Sequence, residues 1–148
     1  MRISRLAMLA GAVLLAVPAL AACGGSSSGG ESAPAGPVGG PGLVANWTLS
    51  SASDASILPS LGITLEFTDT DASGFGGVNR YMTTFTSSPE GALDFGEIAS
   101  TMMAGPDDAM AAEQAYVAAL GTVTGYTVAG DELDLFVDET QILTFSKN

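Results

Sequence analysis

Ile63-Thr64-Leu65-Glu66-Phe67 is the stretch that decides the fold, because apolar side chains fall on every second residue with polar ones between them. In an extended chain that alternation sends one row of side chains to a core and the other to water. It is the pattern of an antiparallel sheet with one wet face. The same period returns further along the chain. Tyr81, Thr83 and Phe85 share one parity, Leu133, Leu135 and Val137 alternate with Glu132 and Asp134, and Leu143 and Phe145 repeat the pattern near the end. Turn-forming clusters divide these runs at Asp69 to Gly74, Ser88 to Gly91, Ala129 to Glu132 and Asp138-Glu139. Short strands joined in this way predict a mostly β (α+β) fold, with a meandering antiparallel sheet curled into a sandwich or a small, partly open barrel.

One segment departs from period two. Asp107 to Leu120 is alanine-rich, follows Gly105-Pro106, carries two acids in its first turn and runs into Gly121. These are helix start and stop signals. Met110, Val117 and Leu120 form the stripe expected to lie on the sheet, with Glu113 and Gln114 interrupting it.

Upstream of the folded part the composition changes twice. Residues 1–22 carry Arg2 and Arg5 ahead of an apolar run from Leu6 to Leu20, the layout of a secretory signal. The run is shorter than the roughly 20 residues of a spanning helix. It ends in Leu20-Ala21-Ala22-Cys23, which resembles a bacterial lipobox. That resemblance implies lipidation at Cys23, cleavage before it, and an acylated N-terminus held on the extracytoplasmic side of the cell membrane. Residues 23–42 are rich in Gly, Ser and Pro and read as a flexible tether, which leaves 43–148 as one domain with one modest core.

Composition removes several chemistries. There is no histidine, and Cys23 is the only cysteine. Ser-His-Asp and Cys-His nucleophiles, histidine metal sites and thiolate zinc sites are therefore not expected. No cofactor and no metal is expected, and the chain reads as a non-enzyme. Loss of the signal leaves Arg80 and Lys147 against 16 acids. A charge of that sign repels nucleic acid, so the expected partners are the membrane, through the lipid anchor, and an unidentified envelope protein or component. Asp69-x-Asp71-x-Ser73-Gly74 matches the first half of a calcium loop, but its twelfth position is Arg80, a cation where the metal needs a carboxylate.

The order of features resembles a known family. Trp47-Thr48-Leu49 and Ile63 to Phe67 are followed by Gly74-Phe75-Gly76-Gly77-Val78-Asn79-Arg80-Tyr81, by Leu93 to Gly105, by Glu113, Tyr116 and Leu120, and by Leu133-Asp134-Leu135. Together they resemble the META domain, the HslJ-like heat-shock lipoprotein family. The resemblance implies a non-catalytic binding role in envelope homeostasis or stress tolerance. The alternative is a carrier for an apolar ligand, a lipid or a peptide. Members of the family typically carry cysteines where this chain has Val78 and Gly105, so no thiol role of that pair is open to it.

Two residues stand out as binding candidates, Asn79 and Arg80, either as a partner-binding lip or as structural elements. In the structural reading Gly76 and Gly77 allow a close strand approach, and Arg80 clamps a carboxylate such as Glu113. Met82, Met102, Met103, Phe85 and Phe95 are adaptable side chains expected to fill the core, or to line a groove if the domain is a carrier.

Overall fold

The computed structural model describes residues 42–148. The predicted signal, Cys23 and all but the last residue of the predicted tether lie outside the described residues. Among the described residues nine strands and one α-helix follow in the order β1 (Asn46–Ala52), β2 (Thr64–Phe67), β3 (Asp71–Phe75), β4 (Arg80–Ser87), β5 (Leu93–Phe95), β6 (Ala99–Ser100), α1 (Asp107–Leu120), β7 (Gly125–Ala129), β8 (Glu132–Val137) and β9 (Thr140–Lys147), with a single 3-10 turn at Pro59–Leu61 between β1 and β2. The sheet runs β5-β4-β3-β2-β1-β9-β8-β7, every pairing antiparallel, with β6 added to β4 beside β5.

The sheet is nearly closed into a barrel with one unsealed seam. Its end strands β5 and β7 meet through a single bridge, Ala92 opposite Gly125. There the Tyr126 N–H donates to the Gly91 carbonyl at 2.8 Å and the Leu93 N–H donates to the Thr124 carbonyl at 3.1 Å. A bulge at Ser50 shifts the β1–β9 register, so Leu49 faces Phe145 while Ser51 faces Thr144. Such an extra residue increases local twist, which a sheet needs in order to curl.

Period two was read correctly on the inward face. Leu65, Phe67, Tyr81, Thr83, Phe85, Leu133, Leu135, Leu143 and Phe145 are all buried. Trp47 is wholly buried and donates its indole N–H to the Leu43 carbonyl at 3.0 Å. Phe67 meets Phe85 edge-on with centroids 5.0 Å apart, and Tyr116 sits between Tyr81 at 5.7 Å and Phe145 at 6.5 Å. These rings occupy the interior of the curl.

Three expectations change. The expected turn from Asp69 to Gly74 is mostly strand: only Thr68 to Thr70 turns, and Ala72, Ser73 and Gly74 pair with both β2 and β4. Glycine is required at 74, where a Cβ would lie 2.0 Å from the Thr64 carbonyl oxygen and 2.8 Å from the Tyr81 hydroxyl. On α1 the buried face is Ala109, Ala112, Glu113, Tyr116 and Leu120, while Met110 and Val117 are only partly buried. Two alanines and a glutamate, rather than the longer Met110 and Val117, form much of its packed face. Finally, Met82, Met102 and Met103 do not fill the core: they are 61%, 98% and 58% exposed.

Candidate functional site: a methionine surface clamped from behind

The turn Gly76 to Asn79 carries the chain from β3 into β4, and its geometry is set by a carboxylate from the helix. Glu113 reaches across from α1 and accepts the Val78 N–H at 2.9 Å, the Asn79 N–H, and the Asn79 side-chain Nδ2–H at 2.7 Å. Gly76 makes room for it, since a Cβ there would lie 2.9 Å from the Glu113 Cγ and 3.0 Å from Oε2. Gly77 follows at φ +120°, a conformation that glycine adopts without strain.

The other end of the Asn79 amide holds a loop. Asn79 Oδ1 accepts the Met103 N–H at 2.7 Å and the Thr101 hydroxyl at 2.9 Å, and Nδ2 also donates to the Met103 carbonyl at 3.3 Å. Thr101 completes the attachment by donating its N–H to the Arg80 carbonyl at 3.0 Å. One buried asparagine therefore joins helix, turn and loop. Residues 101–106 leave β6 for α1 without regular structure, yet their start is tied down at five hydrogen bonds.

That loop displays its methionines outward. Met102 and Met103 stand at its crest, Met82 projects from the wet face of β4, and Met110 lies half-buried on α1. Two hollows flank them. One of about 270 Å³ is lined by Arg80, Tyr81, Met82, Ala99, Ser100 and Thr101. The other, about 380 Å³, runs from Ser100 past Met102 and Met103 to Met110 and Gln114, with Asn79 and Glu113 at its floor.

Asn79 and Arg80 are neighbours with opposite fates. Asn79 is 3% exposed and Arg80 is exposed. The expected clamp between Arg80 and Glu113 is not formed: the carboxylate is taken by the turn amides and Asn79, while strand alternation points Arg80 to solvent. Sequence reasoning singled out these methionines but assigned them to the core or to a carrier's groove rather than to an outer surface, although one signal was present. The parity that buries Tyr81 and Thr83 also places Met82 on the wet face.

The two positions where the resemblance implies cysteines are in contact. A Cβ on Gly105 would lie 3.4 Å from the Val78 Cβ and 2.7 Å from its Cγ1. The valine methyls occupy the space that a larger residue at 105 would need. Deeper in the core, the Tyr81 hydroxyl donates to the Thr64 carbonyl at 2.7 Å and shares a 2.7 Å hydrogen bond with the Tyr116 hydroxyl. Burial raises both phenols well above their ordinary pKa of 10.0. Among the described residues no group of three or more His, Cys, Asp or Glu is arranged to hold a metal ion, and no helix is long and apolar enough to cross a membrane.

A partly open antiparallel barrel with one helix, tied through a turn asparagine to a helix glutamate, defines the class. The META-domain signature matches residues 42–148, and the chain belongs to the META-domain family. Among solved structures it is similar to a protein from Burkholderia xenovorans determined by NMR, at 28% identity over 71% of this chain and 82% of that one, with a TM-score of 0.55. It shares its fold with a DUF4847 family protein from Bacteroides vulgatus, at 13% identity over 72% and 94% of the two chains and a TM-score of 0.51. No curated protein matches it in sequence.

Proposed function

We propose that this META-domain protein is a lipid-anchored envelope lipoprotein that acts by binding an envelope protein or component, without catalysis, in homeostasis or stress tolerance of the envelope. The observation that carries the reading is the exposure of Met82 on β4 and of Met102 and Met103 on a loop that Asn79 holds rigidly. Exposed apolar side chains gathered on one face are the usual mark of a contact surface. Clamping the loop lowers the entropy lost when a partner orders it. The anchor rests on the lipobox-like Leu20 to Cys23, and the non-catalytic role on the lack of histidine and of any cysteine besides Cys23. Surface binding is favoured over carriage of an apolar ligand, because Trp47, Phe67, Tyr116 and Phe145 occupy the interior at 2% exposure or less.

The test is crosslinking of the full-length protein in its own envelope, with the acylated form recovered from the membrane fraction. A reproducible adduct is expected on the wild type and lost in Met102→Ser/Met103→Ser, with unchanged thermal melting. An adduct that persists in the variant would place the contact elsewhere and end this reading of the surface.

A further inference from the structure

We infer that the methionine surface is a docking groove for a cationic amphipathic helix, a segment with an apolar stripe flanked by lysines or arginines. The inference rests on the binding role proposed above and names the chemistry of its partner. Four large apolar side chains are exposed among the described residues, and Met82, Met102 and Met103 are three of them. Unbranched thioethers adapt their shape to whatever apolar stripe meets them.

The charges around this surface select the partner. Asp71 and Glu97 line a hollow of about 330 Å³ that shares Met82 with the groove. Asp107 and Asp108 open α1 directly after the methionine loop, and all four acids are exposed. Among the described residues the only cations are Arg80 and Lys147, and Arg80 borders the groove. An apolar surface with acids beside it matches a helix, which carries its basic residues beside its apolar face. An extended strand would send its charges to the far side, away from these acids. The acidic field of the whole chain draws such a segment in.

Arg80 makes the inference sharp. A cation at the rim of a groove for cations opposes binding, so neutralising it must strengthen the complex. Arg80 is exposed, and Arg80→Gln leaves the core untouched.

The experiment titrates the full-length protein with a Leu/Lys amphipathic peptide of about 18 residues, about 27 Å as a helix. A Leu/Glu peptide of the same apolar pattern serves as comparison. The Leu/Lys peptide is expected to bind, more weakly as salt rises. Its affinity should fall about tenfold or more in Met102→Ser/Met103→Ser. It should rise about two- to fivefold in Arg80→Gln. Equal binding by the methionine variant, equal binding of the Leu/Glu peptide, or no binding at all would overturn the inference. A dimer that the methionine variant dissolves would overturn it too, with a second copy as occupant. The crosslinking result separates the two levels: a methionine-dependent adduct without peptide binding keeps the binding role and removes only this partner chemistry.

Discussion

Asn79 uses its amide at both ends, toward Glu113 and toward the loop at Thr101 and Met103. Removing that side chain leaves a buried carboxylate and a loop N–H short of partners, and unmade hydrogen bonds to charged groups are costly. Asn79→Ala should lower stability by about 2–4 kcal/mol, measured by chemical denaturation. Arg80→Lys should stay within about 0.5 kcal/mol of wild type, since the side chain is exposed and clamps nothing. Sequence singled out both residues but could not separate them. An arginine among many acids suggests an ion pair, yet the carboxylate best placed for it is held by backbone N–H groups, which leave no trace in composition.

At the scale of elements, the strands were legible where large apolar residues alternate, as in Ile63 to Phe67 and Tyr81 to Phe85. β3 was not. Ala72-Ser73-Gly74 has the composition of a turn, but those small residues are what let β2 and β4 approach from both sides. The span of α1 was legible from its acids and its bounding glycines, and its packed face was not, because Ala112 and Glu113 lie where long apolar side chains were sought. The contact between Val78 and Gly105 has a consequence of its own. Their Cβ positions, 3.4 Å apart, lie at the short edge of the range a disulfide spans. Val78→Cys/Gly105→Cys should close that bond and raise stability by about 2–4 kcal/mol over the reduced form, seen as a higher melting temperature without reductant. Equal melting of the two forms would count against the juxtaposition.

At the scale of the whole molecule, closure of the sheet brings Tyr81 from β4 and Tyr116 from α1 into hydrogen-bond contact in the core. Burial keeps both phenols protonated well above 10.0. The unfolded chain sheds those protons near pH 10 and the folded chain does not, so alkali favours unfolding. Their stabilising effect is fully present below about pH 10 and lost as pH rises beyond it. Denaturation midpoints should therefore fall between about pH 9 and about pH 11. Tyr81→Phe/Tyr116→Phe should fall less steeply, with Tyr126, also raised by burial, supplying part of the slope that remains. A curled sheet was legible in the sequence, but the pinning of β5 to β7 was not, because two backbone hydrogen bonds at Gly91 and Leu93 carry no side-chain signature.

The central claim is that the face holding Met82, Met102 and Met103 is where this protein meets its partner. Methionine-methyl NMR tests it most directly, because the described domain contains only those three and Met110. The full-length protein would be observed with and without the crosslinkable envelope fraction. The account predicts that the Met82, Met102 and Met103 methyl signals shift or broaden together in that fraction. Signals that stay unchanged while the adduct forms would place the binding surface elsewhere on the domain.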